Sequence, residues 1–333
     1  MKKGDSQARA SAFGWIFQSS AGLYLLLDCI EDAVSIKMEG KKEDVEITLN
    51  DNTIIYAQAK SVENINDEKN NRKKLKSALA SLSKCTKSVS KLIYVSNILN
   101  PLDSDTPKHY IYSRTSYSSI LTPDQQMITK LLAEIDDGAK FQTAKFELVT
   151  FKFAGEDDTQ RYSDVLSKTK EFLAKTDVSD GKAQAALNEW KNLLMNNNAQ
   201  RATLSKGDVI FPLILVAIGH QDLEAKYNEV CTLGIYDETM EKYAEFIRNT
   251  PSKSEFFMRV CGHYQKKYPR GGDNIIAYVK DEENWKSYTD EFSAIESDPE
   301  YLESLIKLLL LATLLKRKTI SSIKEAANLK GTI

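Results

Sequence analysis

Apolar side chains recur at helical spacing between residues 8 and 31, through Phe13, Phe17, Ala21, Tyr24, Leu25 and Cys29. A helix with one buried face is expected there. The period then changes. Residues 33–38, 43–49 and 53–61 read as extended segments, and Asn50-Asp51-Asn52 is a turn between the last two. Residues 69–89 return to helical spacing and feed a short buried strand at Lys91–Ser96, centred on Leu92-Ile93-Tyr94-Val95. Loop follows to Pro107, then a helix at Pro123–Ile135, a strand at Phe146–Phe153 and a helix at Tyr162–Ala174. Strands interleaved with helices in this order predict an α/β core with a mixed sheet flanked by helices.

Beyond Asp180 strand candidates are scarce, and Ala183–Met195, Val209–Ala217, Asp222–Val230, Asp237–Arg248, Glu255–Tyr264 and Leu302–Leu315 have helical periodicity. Lys175–Gly181 is the expected linker, dividing the chain into a domain at 1–178 and a mainly helical one at 181–333. The helix through Leu302, Leu305, Ile306, Leu309 and Ala312 is widened by Leu308, Leu311 and Leu315. A surface helix needs one apolar stripe, so this one belongs to a core or packs on another chain. A self-association or partner interface at 181–333 is the expectation.

Composition narrows the class. The 333 residues are 42% apolar and 28% charged, as in an ordinary soluble protein. Met1–Asp5 leads into a polar stretch with no apolar signal core, and Leu305–Leu315 is too short to span a bilayer, so a cytoplasmic protein with no membrane partner is expected. Cysteines at 29, 85, 231 and 261 have neither disulfide-framework nor zinc spacing, and the three histidines are scattered. A cation held by oxygen ligands, such as Mg²⁺, stays open. The net charge of −2 gives no global pull on nucleic acid, but Lys69–Lys91 holds eight basic residues and no acidic one. Lys69, Arg72, Lys73, Lys74 and Lys76 are candidates for a phosphate-binding face; a solvated helix face is the plain alternative.

The candidate chemistry lies at 39–60. With a hairpin centred on Asp51, Leu49 faces Thr53 and Asp44 faces Gln58. Alternation puts Asp44, Glu46, Thr48, Ile54, Tyr56, Gln58 and Lys60 on one face, with Val45, Ile47, Leu49, Ile55 and Ala57 on the other. Glu43 should point away from Asp44. Hydrolysis of a phosphodiester needs a metal ion held by carboxylates and carbonyls. Asp44 is the obvious ligand, Gln58 offers an amide oxygen and Ala59 a main-chain carbonyl. Lys60 can orient water or offset negative charge. Glu39 is a possible second carboxylate, and Gln18 on the first helix a polar support or DNA contact. A solvent-facing hairpin is the competing reading, weakened by the small Ala57-Gln58-Ala59-Lys60 run, which suits a buried strand where polar groups are costly.

Gly14-Trp15-Ile16-Phe17-Gln18, Glu39, Glu43-Asp44-Val45-Glu46-Ile47 and Gln58-Ala59-Lys60 together resemble the endonuclease domain of CBASS and Lamassu effectors in bacterial anti-phage defence. That domain is a PD-(D/E)XK, Mrr-like nuclease, so the resemblance implies a restriction-endonuclease-like core over about the first 175 residues. It implies a catalytic group of Asp44, Gln58, Lys60 and Glu39, with metal ligands Asp44, Gln58, Ala59 and Glu39. Gln58 departs from the superfamily's usual Asp or Glu, as in its Gln-x-Lys variant. Residues 181–333 do not resemble the nucleotide-sensing module of CBASS members.

The function implied is a Mg²⁺-dependent (Mn²⁺ substituting) endodeoxyribonuclease acting on double-stranded DNA. Its expected partner is a protein of a defence complex, such as an SMC-type ATPase, or a second copy of the chain. A weakened DNA-binding or assembly subunit, or an RNase, are the alternatives.

Overall fold

The computed structural model describes residues 3–40, 43–65, 70–102, 109–154, 157–219, 223–231, 235–249, 253–269 and 274–329. The chain forms two units, one of residues 1–172 with 183–206 and the other of 173–182 with 207–333.

The first unit begins with α1 (Lys3–Asp28) and three strands, β1 (Ala33–Met38), β2 (Val45–Leu49) and β3 (Ile54–Lys60). They form an antiparallel meander whose register pairs Met38 with Val45 and Val45 with Ala57. The turn is made by Asp51, whose carboxylate accepts the Thr53 N–H at 2.9 Å, with Asn52 at a φ of 64°. α2 (Asn71–Leu82) crosses to β4 (Val89–Ser96), which lies parallel to β3. β5 (Arg114–Ser116), α3 (Thr122–Ala133) and β6 (Phe146–Thr150) follow, β6 again parallel to β4. Next come α4 (Asp158–Arg161), α5 (Ser163–Leu173), α6 (Ala183–Gln200) and β7 (Thr203–Ser205). The resulting seven-stranded sheet runs β5-β6-β4-β3-β2-β1-β7.

β3 sits between β2 and β4, and helices cover both faces. Tyr56, Leu92, Tyr94 and Leu148 pack with Leu75, Leu79 and Leu82 of α2 and Ile128 and Leu131 of α3. The alternate residues face α1, where Leu25 stands beside Ile55 and Ile93. This two-sided cover is why Ile55 to Ala59 are all buried, and why the hairpin is no solvent-facing ribbon. Gly22 lets α1 approach β1, because a Cβ there would stand 2.7 Å from Met38 Sδ. Phe17 stacks on Phe151 at 5.2 Å, tying α1 to the chain after β6.

The boundary expected at 178–181 is corrected. α6 and β7 return to the first unit, since β7 completes the sheet by pairing Leu204 with Ile36 of β1. A three-residue strand gives too short a pattern to be read from sequence, and the same holds for β5.

The second unit is helical: α7 (Lys206–Ile218), α8 (Glu224–Val230), α9 (Tyr236–Asn249), α10 (Lys253–Lys267), α11 (Ile275–Lys280), α12 (Glu282–Lys286), α13 (Thr289–Phe292), α14 (Pro299–Leu315) and α15 (Arg317–Ala326). Asp298 caps α14 by accepting the Glu300 and Tyr301 N–H groups at 2.9 and 3.2 Å. α14 is surrounded by α8 to α13 and α15, and its leucines at 305, 308, 309, 310, 311 and 314 are wholly buried. The apolar surround expected to serve a partner is therefore consumed inside the unit, which removes the sequence basis for a self-association interface. Lys307, the one charge within that run, donates to the Val230 carbonyl at 3.2 Å and pairs with Glu303. It lies over the Trp285 ring, so its burial is compensated. No described helix is long and apolar enough to cross a membrane.

Candidate functional site

The hairpin ladder ends at the pair Val45–Ala57, and Asp44 is the residue just before it. Asp44 is nine-tenths buried. Its Oδ2 accepts the Ala59 N–H at 2.8 Å and the Lys60 ammonium at 3.3 Å. A strand residue's N–H and C=O point to the same edge. The Ala59 carbonyl thus also faces Asp44, beyond the start of β2 at Val45. Asp44, Ala59 and Lys60 are thus in contact, and Gln58 reaches the group through Glu43.

Their place in the sheet is the carboxyl end of the parallel strands, where open α/β sheets put ligands. Lys60 pairs with Ser96, and Ser96 with Thr150. Ser96 Oγ donates to the Lys60 carbonyl at 3.1 Å. Asn97 donates to the carbonyls of Val62 and Phe153 at 2.7 Å each and accepts the Val62 N–H at 2.9 Å. These bonds fix the chain at Lys60 and just after it. Ser96 and Asn97 were missed by motif reading; their one signal is polar residues directly after the buried Leu92–Val95 run.

Glu43 is a correction to the alternation rule. Expected to point away from Asp44 and so off the Gln58 face, it is 2% exposed and hydrogen-bonded with Gln58. β2 starts only at Val45, so period-two geometry does not govern residues 43 and 44. Its Oε1 accepts from Cys85 Sγ at 3.0 Å and its Oε2 is buried without a partner. Burial pushes the Glu43 carboxyl up to about 7; the bonds from Cys85 and Gln58 oppose that, and the charges of Asp44 and Glu46 add to it.

Glu39 arrives only by its backbone. It adopts a φ of 48°, and its N–H donates to the Asp44 carbonyl at 2.9 Å. Its carboxylate makes no described hydrogen bond or ion pair, so backbone geometry alone ties Glu39 to Asp44. Gln18 lies four residues before Gly22, one turn or about 6 Å along α1. Gly22 touches Met38, whose row runs through Val45 to Ala57. The Cys29 end of α1 is at Ile55. Gln18 thus lies one turn from the α1–β1 contact, and its Oε1 is buried with no partner.

The basic segment separates into parts. Lys74 donates to the Ser61 carbonyl at 3.2 Å, beside Lys60. Arg72 and Lys76 instead meet Glu134 of α3 at 4.0 and 2.8 Å, and Lys73 is exposed. Lys69 lies outside the described residues.

Among the described residues no three His, Cys, Asp or Glu side chains cluster as metal ligands. An oxygen-seeking ion asks less: Mg²⁺ takes one or two carboxylates and keeps several waters. Asp44 Oδ1, the partnerless Glu43 Oε2, the Gln58 amide and the Ala59 carbonyl fit that demand.

No protein-family model and no curated protein matches this chain. Among solved structures it is similar to a Moraxella osloensis Cap4 SAVED/CARF-domain containing receptor, at 17% identity and a TM-score of 0.40, over 64% of this chain and 48% of that one. It is also similar to the Acinetobacter baumannii Cap4 SAVED/CARF-domain containing receptor with the cyclic trinucleotide 2'3'3'-cAAA, at 12% identity and a TM-score of 0.39, over 61% and 44%. The chain thus spans about half the length of these proteins. Their descriptions are of receptors, and this overturns the PD-(D/E)XK resemblance with what it implied: a restriction-endonuclease-like fold, an endodeoxyribonuclease activity and double-stranded DNA as partner. A short Asp…Gln-x-Lys pattern on a hairpin marks a place for charge on a sheet, and by itself neither a fold family nor a reaction. Likeness at this TM-score transfers no receptor's ligand either.

Proposed function

We propose that the Asp44, Gln58, Ala59 and Lys60 group is a Mg²⁺-assisted binding site for the phosphate of a nucleotide ligand. The observation that carries this reading is the buried Asp44 carboxylate, clasped by the Ala59 N–H at 2.8 Å and the Lys60 ammonium at 3.3 Å. An acid and an ammonium side by side serve a phosphate with its counter-ion. Asp44 Oδ1 and the Ala59 carbonyl take the cation, and the cation and Lys60 share the phosphate oxygens. Gln58 supplies a neutral ligand that adds no negative charge against the phosphate. Lys74, held at Ser61, supplies a second cation on the same side.

Cyclic trinucleotides, the ligand class named for one of the Acinetobacter receptors, serve as probes. Calorimetric titration of the full chain with 3'3'3'-cAAA and with linear triadenylate, each in Mg²⁺ and in EDTA, tests the reading. Mg²⁺ should tighten binding by about tenfold or more, and Asp44→Ala should remove that gain while keeping the far-UV circular dichroism. Absence of Mg²⁺-dependent binding of both probes sinks the reading.

A further inference from the structure

Two carboxamides near this site carry acceptors with no donor. Asn71 and Asn100 are 5% and 2% exposed, and the Oδ1 of each is buried without a partner. The orientation of Asn71 is pinned, since its Nδ2 donates to the Asn100 main-chain carbonyl at 2.6 Å; turning the amide over would set oxygen against oxygen. Buried carbonyl oxygens left alone are costly, and every such atom in a folded protein calls for a cause.

These residues join the phosphate site through consecutive contacts. Lys74, three residues on from Asn71 along the same face of α2, reaches the Ser61 carbonyl at 3.2 Å. Asn97 holds Val62, and the Leu99 N–H donates to the Ile65 carbonyl at 3.5 Å. Asn71 and Asn100 therefore lie one helical turn from the lysine beside the site.

Their chemistry selects the ligand group. Two carbonyl oxygens repel a phosphate, so the missing partner is a donor. An exocyclic amino group carries two N–H bonds and can serve both oxygens, whereas the pairing edge of uracil offers one N–H between two carbonyls. We infer that Asn71 and Asn100 form a base-reading site for an amino-bearing nucleobase of the ligand whose phosphate binds at Lys60. The inference rests on the phosphate-site reading and goes beyond it by naming the base. Shielded from bulk water, the two acceptors discriminate more strongly than they would at a surface.

The test is calorimetric titration of the full chain in Mg²⁺ with 3'3'3'-cAAA and with the cyclic triuridylate of the same linkage. The adenine ligand should bind about tenfold or more tightly than the uridine one. Asn100→Ala is the clean variant, because Asn71 bonds to the main chain of Asn100 and keeps that bond; it should bring the ratio close to one. Asn71→Ala should do the same, and Lys74→Ala should weaken both ligands alike while leaving the ratio. Equal binding of the two ligands by the wild type overturns the base-reading inference alone. So does a ratio that survives Asn100→Ala while the melting temperature falls, the mark of an internal water as the missing partner. Binding of neither ligand overturns the phosphate site and this inference together.

Discussion

Lys60 Nζ lies 3.3 Å from Asp44 Oδ2, a contact between a half-buried ammonium and a nearly buried carboxylate that also takes the Ala59 N–H. The pair is short in space and distant along the chain, sixteen residues apart across the β2–β3 turn. Asp44 can be altered only at a cost to the fold as well as to the site. Its removal strands the Ala59 N–H and the Lys60 charge in a region with little water, and breaking one side of such a contact is more expensive than the pair is worth.

Asp44→Ala is thus expected to lower the unfolding free energy by about 1–3 kcal/mol. Asp44→Asn, which can still accept the Ala59 N–H, should lose less. On the proposed Mg²⁺ site, the ion should raise the unfolding free energy of the wild type, and both variants should lose that rise. Urea unfolding with and without Mg²⁺ measures both effects, and a Mg²⁺ shift that persists in both variants would place the ion elsewhere.

Glu43 gives stability a pH dependence of defined sign. Its folded pKa is raised to about 7 from an ordinary value of 4.5. The folded chain therefore holds a proton that the unfolded chain has released, and stability falls as pH rises from about 4.5 to about 7. The loss amounts to about 3 kcal/mol by the size of the shift. Glu43→Gln should flatten that limb and be the more stable form at pH 8. Urea unfolding in EDTA at pH 5, 6, 7 and 8 checks this, and an unchanged slope in the variant would assign it to other groups.

On α2 the lysines should not act alike. Lys74 stands by Ser61 and Lys60, while Arg72 and Lys76 are turned to Glu134, whose side chain is half exposed. Lys74→Gln should weaken nucleotide binding and reduce its salt dependence, whereas Lys76→Gln should leave both nearly unchanged. Glu134→Ala should leave the urea unfolding midpoint nearly unchanged, as for exposed pairs generally. Equal effects from Lys74 and Lys76 would mean that the whole stripe, rather than one residue, faces the ligand.

The sequence disclosed the meander and its register because its signals are local: a turn at Asn50-Asp51-Asn52 and alternation on either side. The Leu49 to Thr53 pairing follows from these, with the Leu49 N–H donating to the Thr53 carbonyl at 2.8 Å. Legibility ended where the regular strand did. Glu43 escaped because alternation fails one residue before β2, and Ser96 and Asn97 because what they hold lies over thirty residues away along the chain. β7 escaped because only its pairing with β1, a non-local fact, makes three residues a strand. The family resemblance was carried by short motifs spread over the first sixty residues, and such motifs constrain charge placement more tightly than they constrain activity.

α14 shows the same boundary from the other side, since an apolar helix looks identical in sequence whether its neighbours are its own chain or another. The structure surrounds it with α8 to α13 and α15. Leu309, wholly buried at its middle, is then a core residue whose truncation leaves a cavity among its neighbours. Leu309→Ala should cost about 2–5 kcal/mol of unfolding free energy. Because no partner is lost, the molar mass by light scattering should match that of the wild type at the same concentration. The thermal transition should also move independently of protein concentration, which a subunit interface through this helix would forbid by mass action. A small loss of stability together with a change in assembly would return α14 to the surface and make it a contact between chains.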